Sequence, residues 1–281
     1  KRQRIKRILE KHKIRGLILV AVSGGKDSMA LLHALKKISE SLDIELCALH
    51  INLGIYEYSR RSEEVVREYT RRLGVPLILV NLKEEIGYTI PEIVAHVRRP
   101  PCAVCGIVRR WLMNKVAYES GFDYIATGHN IDDTSTYFLK ALMTQDTYSI
   151  IRGQHEVQEP RLDIKLVGRI RPQFYLSERE NRLYVELNEI PIVEDPCPLS
   201  RRATIHKYKS AWDTLLRINP VSQINLVKTM LRLRKMMNVK EQELGQCIRC
   251  GYPTEGKNRL CAFCRFCLLY TSDAADDGES V

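Results

Sequence analysis

The sequence predicts an α/β fold, a doubly wound parallel sheet with helices on both faces, followed by a small cysteine-rich module. Three observations support this prediction. Short apolar runs alternate with amphipathic segments up to residue 143, as strands alternate with helices around a parallel sheet. The run 17–22 is wholly apolar, as expected of a strand buried on both faces. Five cysteines crowd the short segment 247–267, which cannot build a core of its own.

The predicted elements follow one another along the chain in a regular order. Ile5, Ile8 and Leu9 lie at helical spacing among basic residues and predict an amphipathic helix, which Gly16 ends. The predicted strands are 17–22, 44–50, 76–80 and 124–127, and the predicted helices are 29–39, 59–73, 104–120, 132–143, 178–188, 204–217 and 224–237. Residues 150–200 give the weakest pattern, because prolines interrupt it.

The chain is expected to have three parts. Residues 1–240 form the sheet domain, and residues 241–268 form the cysteine-rich module, which needs a metal to fold. Residues 269–281 share no pattern with the rest and are expected to be a non-native or disordered tail. A start at Lys1, inside a helical pattern and without Met, is typical of a chain that lacks residues upstream.

Composition and charge narrow the classes of function. Hydrophobic residues make up 44% and charged residues 28%, which excludes wholesale disorder. The formal net charge of +10 favours a polyanionic partner. There is no apolar run of membrane-spanning length and no secretory signal. We therefore expect no membrane association, a reducing cytoplasm, and cysteines that bind metal or act in catalysis rather than form disulfides.

The first buried strand runs into the glycine loop SGGKDS, residues 23–28, and a helix follows. Two glycines allow backbone N–H groups to approach phosphate oxygens, and the helix N-terminus adds partial positive charge. Asp27 either orients the loop or holds Mg²⁺. The spacing is not that of a Walker loop. The candidate phosphate contacts are Ser23, Gly24, Gly25, Lys26, Asp27 and Ser28.

Three internal cysteines form a second candidate site. Cys102 and Cys105 make a C-x-x-C pair, which fits a redox dithiol, half of a zinc site or part of an iron–sulfur site. Cys197 lies between Pro196 and Pro198 and is a third candidate. Three thiolates without an obvious fourth ligand suit a cluster with one open iron, which could hold an exogenous sulfur atom.

Four terminal cysteines form a third candidate site. Two C-x-x-C pairs stand ten residues apart and predict tetrahedral thiolate ligation of a structural Zn²⁺ in a zinc ribbon. The predicted ligands are Cys247, Cys250, Cys261 and Cys264. Basic and aromatic residues alternate around them, as in modules that contact RNA by charge and stacking. A solvated face around a metal-bound loop is the competing interpretation.

These motifs together carry a family resemblance. The loop SGGKDS resembles the pyrophosphate loop of the PP-loop ATP pyrophosphatases, which activate an oxygen by adenylation and release pyrophosphate. The segments PCAVCG at 101–106 and TGHNIDD at 127–133 resemble the tRNA 2-thiouridine synthetases. With Cys-Pro-Leu-Ser at 197–200, the chain is most similar to the tRNA-5-methyluridine(54) 2-sulfurtransferases.

The resemblance implies a fold, a reaction and partners. The fold is the Rossmann-like one of the adenine nucleotide alpha-hydrolase type, and Cys102, Cys105 and Cys197 bind a [4Fe-4S] cluster. ATP, with Mg²⁺, adenylates uridine O2, and sulfide on the free iron displaces AMP, which forms 2-thio-5-methyluridine at position 54 of tRNA. A ubiquitin-like thiocarboxylate carrier protein delivers the sulfur. The resemblance also implies a homodimer and a Zn²⁺ in the terminal ribbon.

Individual positions carry over as well. Asp133 resembles the family's catalytic carboxylate, and Gly128 its nucleotide-contacting glycine. Ala21 and Ile51 are the further ATP-binding positions. Arg109 stands where the family commonly has Lys, and it retains the charge but cannot give up a proton. Asp132, next to Asp133, is expected to cap its helix. His129 either contacts nucleotide or closes a strand end. His50 either lies beside adenine or packs at a strand end.

Three other functions remain open at this point. The same chemistry could act on wobble uridine 34 or on cytidine 32, although the cytidine enzymes usually lack the zinc ribbon. A GMP-synthetase-like or lysidine-synthetase-like amidation shares the loop but needs neither set of cysteines. A non-catalytic, zinc-stabilised RNA-binding protein would keep the fold only.

Overall fold

A six-stranded sheet forms the centre of the computed structural model. The structure describes residues 1–146, 150, 155–201, 203–236, 244–255 and 259–267. The strands are β1 Gly16–Ala21, β2 Ile44–Asn52, β3 Leu77–Asn81, β4 Tyr124–Ala126, β5 Val157–Gln158 and β6 Gly168–Ile170. Their order across the sheet is β3-β2-β1-β4-β6-β5. All neighbours are parallel except β5, which is antiparallel to β6 at one edge.

The helices cover both faces of this sheet. They are α1 Arg2–Lys11, α2 Lys26–Lys36, α3 Tyr56–Leu73, α4 Leu82–Ile86, α5 Ile90–His96, α6 Pro101–Glu119, α7 Ile131–Met143, α8 Glu178–Leu187, α9 Thr204–Ile218 and α10 Ser222–Met236. Strand β1 shows the two faces: Ile18 and Val20 pack with α1, α2 and α3, whereas Leu19 packs with α6. This explains the wholly apolar run that predicts a strand buried on both faces.

The strand order places the site. The chain runs outward from β1 to β2 and β3 and then returns to β4 on the other side of β1. The carboxyl ends of β1 and β4 therefore flank the point where the order reverses, which is where ligands bind in open α/β sheets.

The predicted fold is confirmed, with differences at particular elements. Helix α1 ends at Lys11, and Gly16 is the first residue of β1 rather than the end of the helix. Helix α6 begins at Pro101, so Cys102 and Cys105 lie inside it. The short elements α4, α5, β5 and β6 are absent from the predicted set.

The terminal module packs against the sheet domain. It contains a two-stranded sheet, β7 Gly245–Gln246 and β8 Pro253–Thr254. Phe263 stacks on Trp111 of α6, with ring centroids 3.9 Å apart. The Tyr252 hydroxyl donates a 2.6 Å hydrogen bond to Glu119, at the end of the same helix. The ring stack and the hydrogen bond thus join the module to α6.

The expected boundary at residue 240 and the expected tail at 269–281 lie outside the described residues. Across the described part of the chain, no helix has both the length and the apolar character needed to cross a bilayer.

Candidate active site

The glycine loop joins β1 to α2 at the carboxyl edge of the sheet. Gly24 has φ of +80°, and a Cβ there would lie 3.3 Å from the backbone of Ser62 in α3. Both the conformation and the close approach therefore require glycine. Gly25 precedes α2, and no side chain caps the helix. The N–H groups of the first turn are thus left for an anion.

Asp27 holds the loop in place. Its Oδ1 accepts hydrogen bonds from the amide side chains of Asn130 (3.1 Å) and Asn181 (2.6 Å), and its Oδ2 accepts one from Lys26 (3.1 Å). Its backbone oxygen accepts a 2.7 Å hydrogen bond from Gln173. These contacts show that Asp27 orients the loop, and one acceptor position of its Oδ2 remains for a further partner such as Mg²⁺. Neither Asn181 nor Gln173 appears among the predicted site residues.

Lys26 lies in a chain of charges. Glu178 at the start of α8 forms ion pairs with both Lys26 and Lys209. Burial alone would lower the pKa of Lys26, but the carboxylates of Asp27 and Glu178 outweigh it and raise that pKa. Lys26 therefore stays protonated and available to phosphate oxygens. In the sequence, the only pattern that includes Glu178 is the helix start Ser-x-x-Glu at 177–180, in which Glu178 is the residue after the Ser.

Gly128 brings the end of β4 against the glycine loop. A Cβ at this position would lie 3.0 Å from the carbonyl carbon of Asp27 and 3.0 Å from the nitrogen of Ser28. Because both neighbours are backbone atoms, they cannot yield to a side chain. The close approach therefore requires glycine at position 128, while its contact with the nucleotide stays a prediction.

The adjacent acids Asp132 and Asp133 have different surroundings, and the expectation that Asp132 caps α7 is wrong. Asn130 is the cap: its side chain accepts from the Asp133 N–H, and Asp133 accepts from the Asn130 N–H. The Asp132 carboxylate accepts instead from the Glu178 N–H (2.7 Å) and from Gln223 (2.9 Å). Asp132 therefore ties α7 to α8 and α10, since only Asn130 has the extended backbone that a cap requires.

Asp133 lies on the side of the glycine loop and not in the wall of the cysteine cavity described next. The Asp133 residue is exposed, but the neighbouring protein limits its contact with solvent. This limited solvation raises the pKa of Asp133 to about 6; the Asn130 N–H opposes the shift and Asp27 adds to it.

A cavity of about 280 Å³ connects the glycine loop with the internal cysteines. Ala21 and Ser23 line it from the end of β1, and Ile51 lines it from β2. The other lining residues are Val22, Leu49, His50, Leu53, Ile55, Tyr58, Ser59, Ser62, Pro101, Cys102, Cys105, Gly106, Arg109, Met113, Cys197, Leu199 and Ser200. Four of the predicted ATP positions, Ala21, Ser23, Ile51 and Arg109, therefore share one cavity with the three predicted cluster ligands, whereas Gly24, Gly25, Lys26, Asp27, Ser28 and Gly128 lie outside its lining.

Two elements position the three cysteines. Cys102 and Cys105 lie one turn apart on α6, and hence on one side of it. The segment that carries Cys197 is tied to the glycine loop by a 2.9 Å hydrogen bond from the Val193 N–H to the Gly24 oxygen. The Ser200 hydroxyl donates a 2.7 Å hydrogen bond to the Cys197 oxygen and fixes the turn that follows.

The donor set fits an iron–sulfur cluster. Cys102, Cys105 and Cys197 line one cavity. Burial raises the pKa of Cys105; Arg109 opposes the shift, and Cys197 and Cys102 add to it. Within the described ranges, only the terminal cysteines bring three or more ligand atoms within 4.8 Å of one another, so the internal cysteines do not form a single-ion site of that kind. Soft thiolate ligands are also the ones that such clusters take.

The terminal cysteines fit a single metal ion. The sulfurs of Cys247, Cys250, Cys261 and Cys264 all lie within 4.8 Å of one another, and those of Cys250 and Cys261 are 3.7 Å apart. A tetrahedral site with Zn–S bonds of about 2.3 Å separates neighbouring sulfurs by about 3.8 Å. The Cys261 N–H donates to the Cys247 sulfur at 3.3 Å, which helps to fix this geometry.

The two histidines of the site have distinct contacts. His50 is buried and lines the cavity, and its Nδ1 lies 2.9 Å from the Val22 oxygen, a pure acceptor, so Nδ1 carries the proton. Its Nε2 has no hydrogen-bond partner within the described part of the chain. His129 is exposed and its Nδ1 lies 2.9 Å from the Thr127 hydroxyl. For each histidine, contact with the nucleotide and packing at a strand end both remain predictions.

Comparisons with known proteins agree with this site. The sequence profile of the PP-loop domain (ATP_bind_3) matches residues 1–204. The tRNA-5-methyluridine(54) 2-sulfurtransferase of Pyrococcus horikoshii is 36% identical over 269 residues, which cover 94% of this chain and 83% of that protein. The same-named protein of Thermus thermophilus is 38% identical over 252 residues, 88% of this chain and 75% of that protein.

A solved structure supports the fold independently. The U34-tRNA thiolase NcsA from Methanococcus maripaludis, described with its [4Fe-4S] cluster, superimposes with a TM-score of 0.80 at 24% identity, covering 96% of this chain and 86% of that one. From the matched profile and from the identity and coverage of these relatives, the chain belongs to the PP-loop family and, within it, to the tRNA 2-sulfurtransferases that include the 5-methyluridine(54) enzymes.

Proposed function

We propose that this protein is an ATP-dependent tRNA sulfurtransferase that forms 2-thio-5-methyluridine at position 54. The observation that carries the proposal is the shared cavity: Cys102, Cys105 and Cys197 line the same space as Ser23 of the glycine loop. An enzyme that activates an oxygen with ATP and then replaces it with sulfur needs its nucleotide and its sulfur-holding group within reach of one uridine.

ATP is proposed to bind with its base between Ala21 and Ile51 and its phosphates at the N-terminus of α2. Gly24 and Gly25 let the phosphates approach the backbone, with Ser23 and Ser28 as hydroxyl donors. Lys26, which stays charged, and Arg109 offset the phosphate charge. Mg²⁺ is proposed to bind the phosphates together with water, close to the acceptor position that remains on Asp27 Oδ2.

The reaction balances without an oxidant. AMP is transferred from ATP to uridine O2, and pyrophosphate leaves. The sulfur donor then supplies the electron pair of the new C2–S bond, and AMP departs with the pair of the C2–O bond. A ubiquitin-like carrier protein with a terminal thiocarboxylate is the proposed source of sulfur.

Cys102, Cys105 and Cys197 are proposed to hold a [4Fe-4S] cluster. Three protein ligands leave one iron open, and the group supplies a place to hold sulfur near the activated uridine. Arg109 lies beside Cys105 and offsets the negative charge of the thiolates. Asp133 is proposed as the catalytic carboxylate, a proton acceptor on the side of the glycine loop.

The remaining parts of the proposal concern the module, the partners and the compartment. Cys247, Cys250, Cys261 and Cys264 are proposed to bind Zn²⁺ and so to fold the module, residues 241–268, beside the sheet domain, residues 1–240. The tail at 269–281 is proposed to take no part. The working form is proposed to be a cytoplasmic homodimer, in keeping with thiols that must stay reduced.

The test is a reconstituted reaction with mapping of the product. Anaerobically purified protein is incubated with ATP, sulfide and tRNA that carries 5-methyluridine at position 54, and the tRNA fragments are analysed by mass spectrometry. We expect sulfur at position 54. Sulfur at uridine 34 or cytidine 32 instead would assign the same chemistry to another position, and the absence of ATP/pyrophosphate exchange with tRNA would favour a non-catalytic binder.

Two cysteine variants compare the loss of a proposed cluster ligand with the loss of a cysteine elsewhere in the protein. Cys197→Ser is expected to lose thiolation and iron together. Cys47→Ser, at a half-buried position on β2 away from the three ligands, is expected to keep both. Full activity of a metal-free Cys197→Ser protein would contradict the cluster and favour an amidation-type reaction.

A further inference from the structure

Four arginines act through their charges on His129, an exposed residue. Arg109 and Arg110 come from α6, Arg169 from β6, and Arg171 from the residue after that strand. Limited solvation in this position, and then the charges of Arg171, Arg109, Arg169 and Arg110, lower the pKa of His129. The ring is therefore neutral, and the positive charge around it comes from guanidinium groups. We call Arg110, Arg169 and Arg171 the arginine cluster.

No carboxylate of the described residues pairs with the arginine cluster. Among the residues that the structure describes, no carboxylate oxygen lies within 4.0 Å of these guanidinium groups. The Nε atoms of Arg169 and Arg171 are closed off from solvent and have no hydrogen-bond partner. One interaction remains, a 2.6 Å hydrogen bond from Arg171 to the His155 oxygen. Unpaired, poorly solvated like charges are unfavourable unless an anion joins them.

Partial burial distinguishes Arg169 and Arg171 from the arginines elsewhere. Some of those have carboxylate partners, including Arg60 with Glu57 and Glu64, and others, such as Arg7 and Arg71, are exposed to solvent. Among the described arginines, only Arg169 and Arg171 have a buried Nε without a hydrogen-bond partner. Burial and the neighbouring charge of Arg110 lower the pKa of Arg169, and no acid counteracts that shift. The cluster is thus a local concentration of free hydrogen-bond donors and positive charge.

The cluster lies away from the proposed base of ATP. Strand β4 stands between β1 and β6, so Arg169 and Arg171 are two strands away from β1, on the side opposite β2. Ala21 and Ile51, the proposed neighbours of adenine, are on β1 and β2. The glycine loop that takes the phosphates follows β1 directly. The cluster is therefore remote from the adenine position, and the exposure of His129 leaves an open approach for the second substrate.

We propose that Arg110, Arg169 and Arg171 bind a backbone phosphate of the RNA substrate beside the nucleotide that is modified. Guanidinium groups pair with phosphate oxygens through two parallel hydrogen bonds, and none of these three has a competing carboxylate among the described residues. The assignment rests on the proposed function only in that the substrate is RNA. It adds a site for the acceptor strand next to Arg109, which lines the cavity of ATP and the cysteines.

The test compares Arg169→Gln and Arg171→Gln with the matched control Arg60→Gln, using the full chain with its metals. Affinity for an unmodified tRNA transcript is measured anaerobically without ATP, and Tm and the KM for ATP are measured beside it. We expect each cluster variant to weaken tRNA binding by about tenfold. Arg60→Gln should change tRNA affinity less than about twofold, because its charge is exposed and already paired.

Stability separates a binding role from a structural one. Removing an unpaired charge from the cluster relieves repulsion, so Arg169→Gln is expected to keep or raise Tm while tRNA affinity falls. Arg169→Lys retains the charge and should restore part of the affinity. If Tm falls and properly folded Arg169→Gln still binds tRNA as the wild type does, the arginine is structural and the proposal is wrong.

Other outcomes would give the cluster a different ligand or reject the function. A raised KM for ATP with unchanged tRNA affinity would assign the cluster to the phosphates of ATP. If the variants lost only sulfur transfer from the ubiquitin-like carrier protein and kept their tRNA affinity, the cluster would be assigned to the terminal carboxylate of that carrier. A wild-type protein that neither binds nor thiolates tRNA would refute the proposed function itself, whereas an active wild type with unaffected variants would refute only this site.

Discussion

Asp132 and Asp133 are adjacent in the sequence but have different roles: Asp132 is structural, and Asp133 is the proposed catalytic carboxylate. Asp132 accepts hydrogen bonds from the first residue of α8 and from α10, and so holds three helices together. Asp133 has its side chain in the open site beside Asp27 and only its capping contact with Asn130. The difference arises because consecutive residues of a helix point in directions about 100° apart.

Substitution should separate these two roles. Asp133→Asn retains an oxygen for the Asn130 N–H but cannot accept a proton, so thiolation is expected to fall by about 100-fold with Tm unchanged or raised. Asp132→Ala is expected to lower the free energy of unfolding by about 1–2 kcal/mol, because it removes two hydrogen bonds. Single-turnover rates and urea unfolding measure the two effects. A stable, fully active Asp133→Asn protein would remove Asp133 from the mechanism.

The raised pKa of Asp133 predicts a dependence on pH. The folded pKa of about 6 lies above the ordinary 3.8, so the fold favours the protonated form. That contribution to stability is complete below pH 3.8 and is lost as the pH rises through about 6. Relative to Asp133→Asn, wild type should thus lose stability over this interval, by less than about 1 kcal/mol because solvent screens the exposed carboxylate.

Activity should change in the opposite direction over the same interval. A proton acceptor works in its ionised form, so kcat/KM of the wild type is expected to rise with pH through about 6. The residual activity of Asp133→Asn should lack this rise. A wild-type profile that is flat from pH 5 to about 8 would contradict a role for Asp133 as a base.

Local sequence patterns predicted the loop but not the contacts that orient it. The motif SGGKDS and Gly128 are recognisable because each requires glycine for a local backbone reason. Asn181 and Gln173, which bind Asp27, are about 150 residues away along the chain, and no spacing rule links them to it. The same distance conceals the arginine cluster, since two of its members lie in the weakly patterned region 150–200.

At the scale of single elements, α6 connects the two predicted metal sites. Its first turns carry Cys102 and Cys105, its middle carries Arg109 and Trp111, and its end reaches Tyr252 through Glu119. The terminal module packs on the far part of this helix, with Phe263 stacked on Trp111. Folding of the module therefore supports the helix that carries two of the three proposed cluster ligands.

Loss of zinc should consequently weaken the iron–sulfur site. We expect a chelator that removes Zn²⁺ to speed up hydrogen exchange in residues 101–119 and to speed up the loss of cluster absorbance in air. Trp111→Ala should have the same effect with zinc still bound, and Trp111→Phe, which keeps a ring, should have little effect. Unchanged exchange and cluster lifetime after zinc removal would show that the module does not support α6.

Periodicity predicted the long elements and missed the short ones for a physical reason. Strands β5 and β6 have two and three residues, too few for an alternating pattern. The start of α6 was placed at residue 104 because the apolar spacing begins there, although Pro101 is the first helical residue. Proline fits the first turn, where its missing N–H is not needed, so the proline pair marks the start better than the apolar pattern does.

At the scale of the molecule, the net charge of +10 is distributed unevenly. Many basic side chains of the periphery have acidic partners, such as Arg4 with Glu180 and Arg67 with Glu63. The arginine cluster has none among the described residues, and it adjoins the cavity through Arg109. The cluster therefore contributes unneutralised positive charge beside the site, where it would draw a polyanion toward the reacting groups.

This distribution predicts that tRNA binding is sensitive to salt. Each neutralised phosphate contributes about 0.9 to the slope of log affinity against log salt, so about three contacts give a loss of about 40-fold between about 50 and about 200 mM salt. The double variant Arg169→Gln/Arg171→Gln should flatten the slope by about one, because it removes one phosphate contact, whereas Arg60→Gln should leave it unchanged. Fluorescence anisotropy with labelled tRNA measures all three slopes.

Equal slopes in wild type and double variant would mean that the charge at the site does not contact RNA. A wild-type affinity that does not change with salt would show that binding does not depend on phosphate charge.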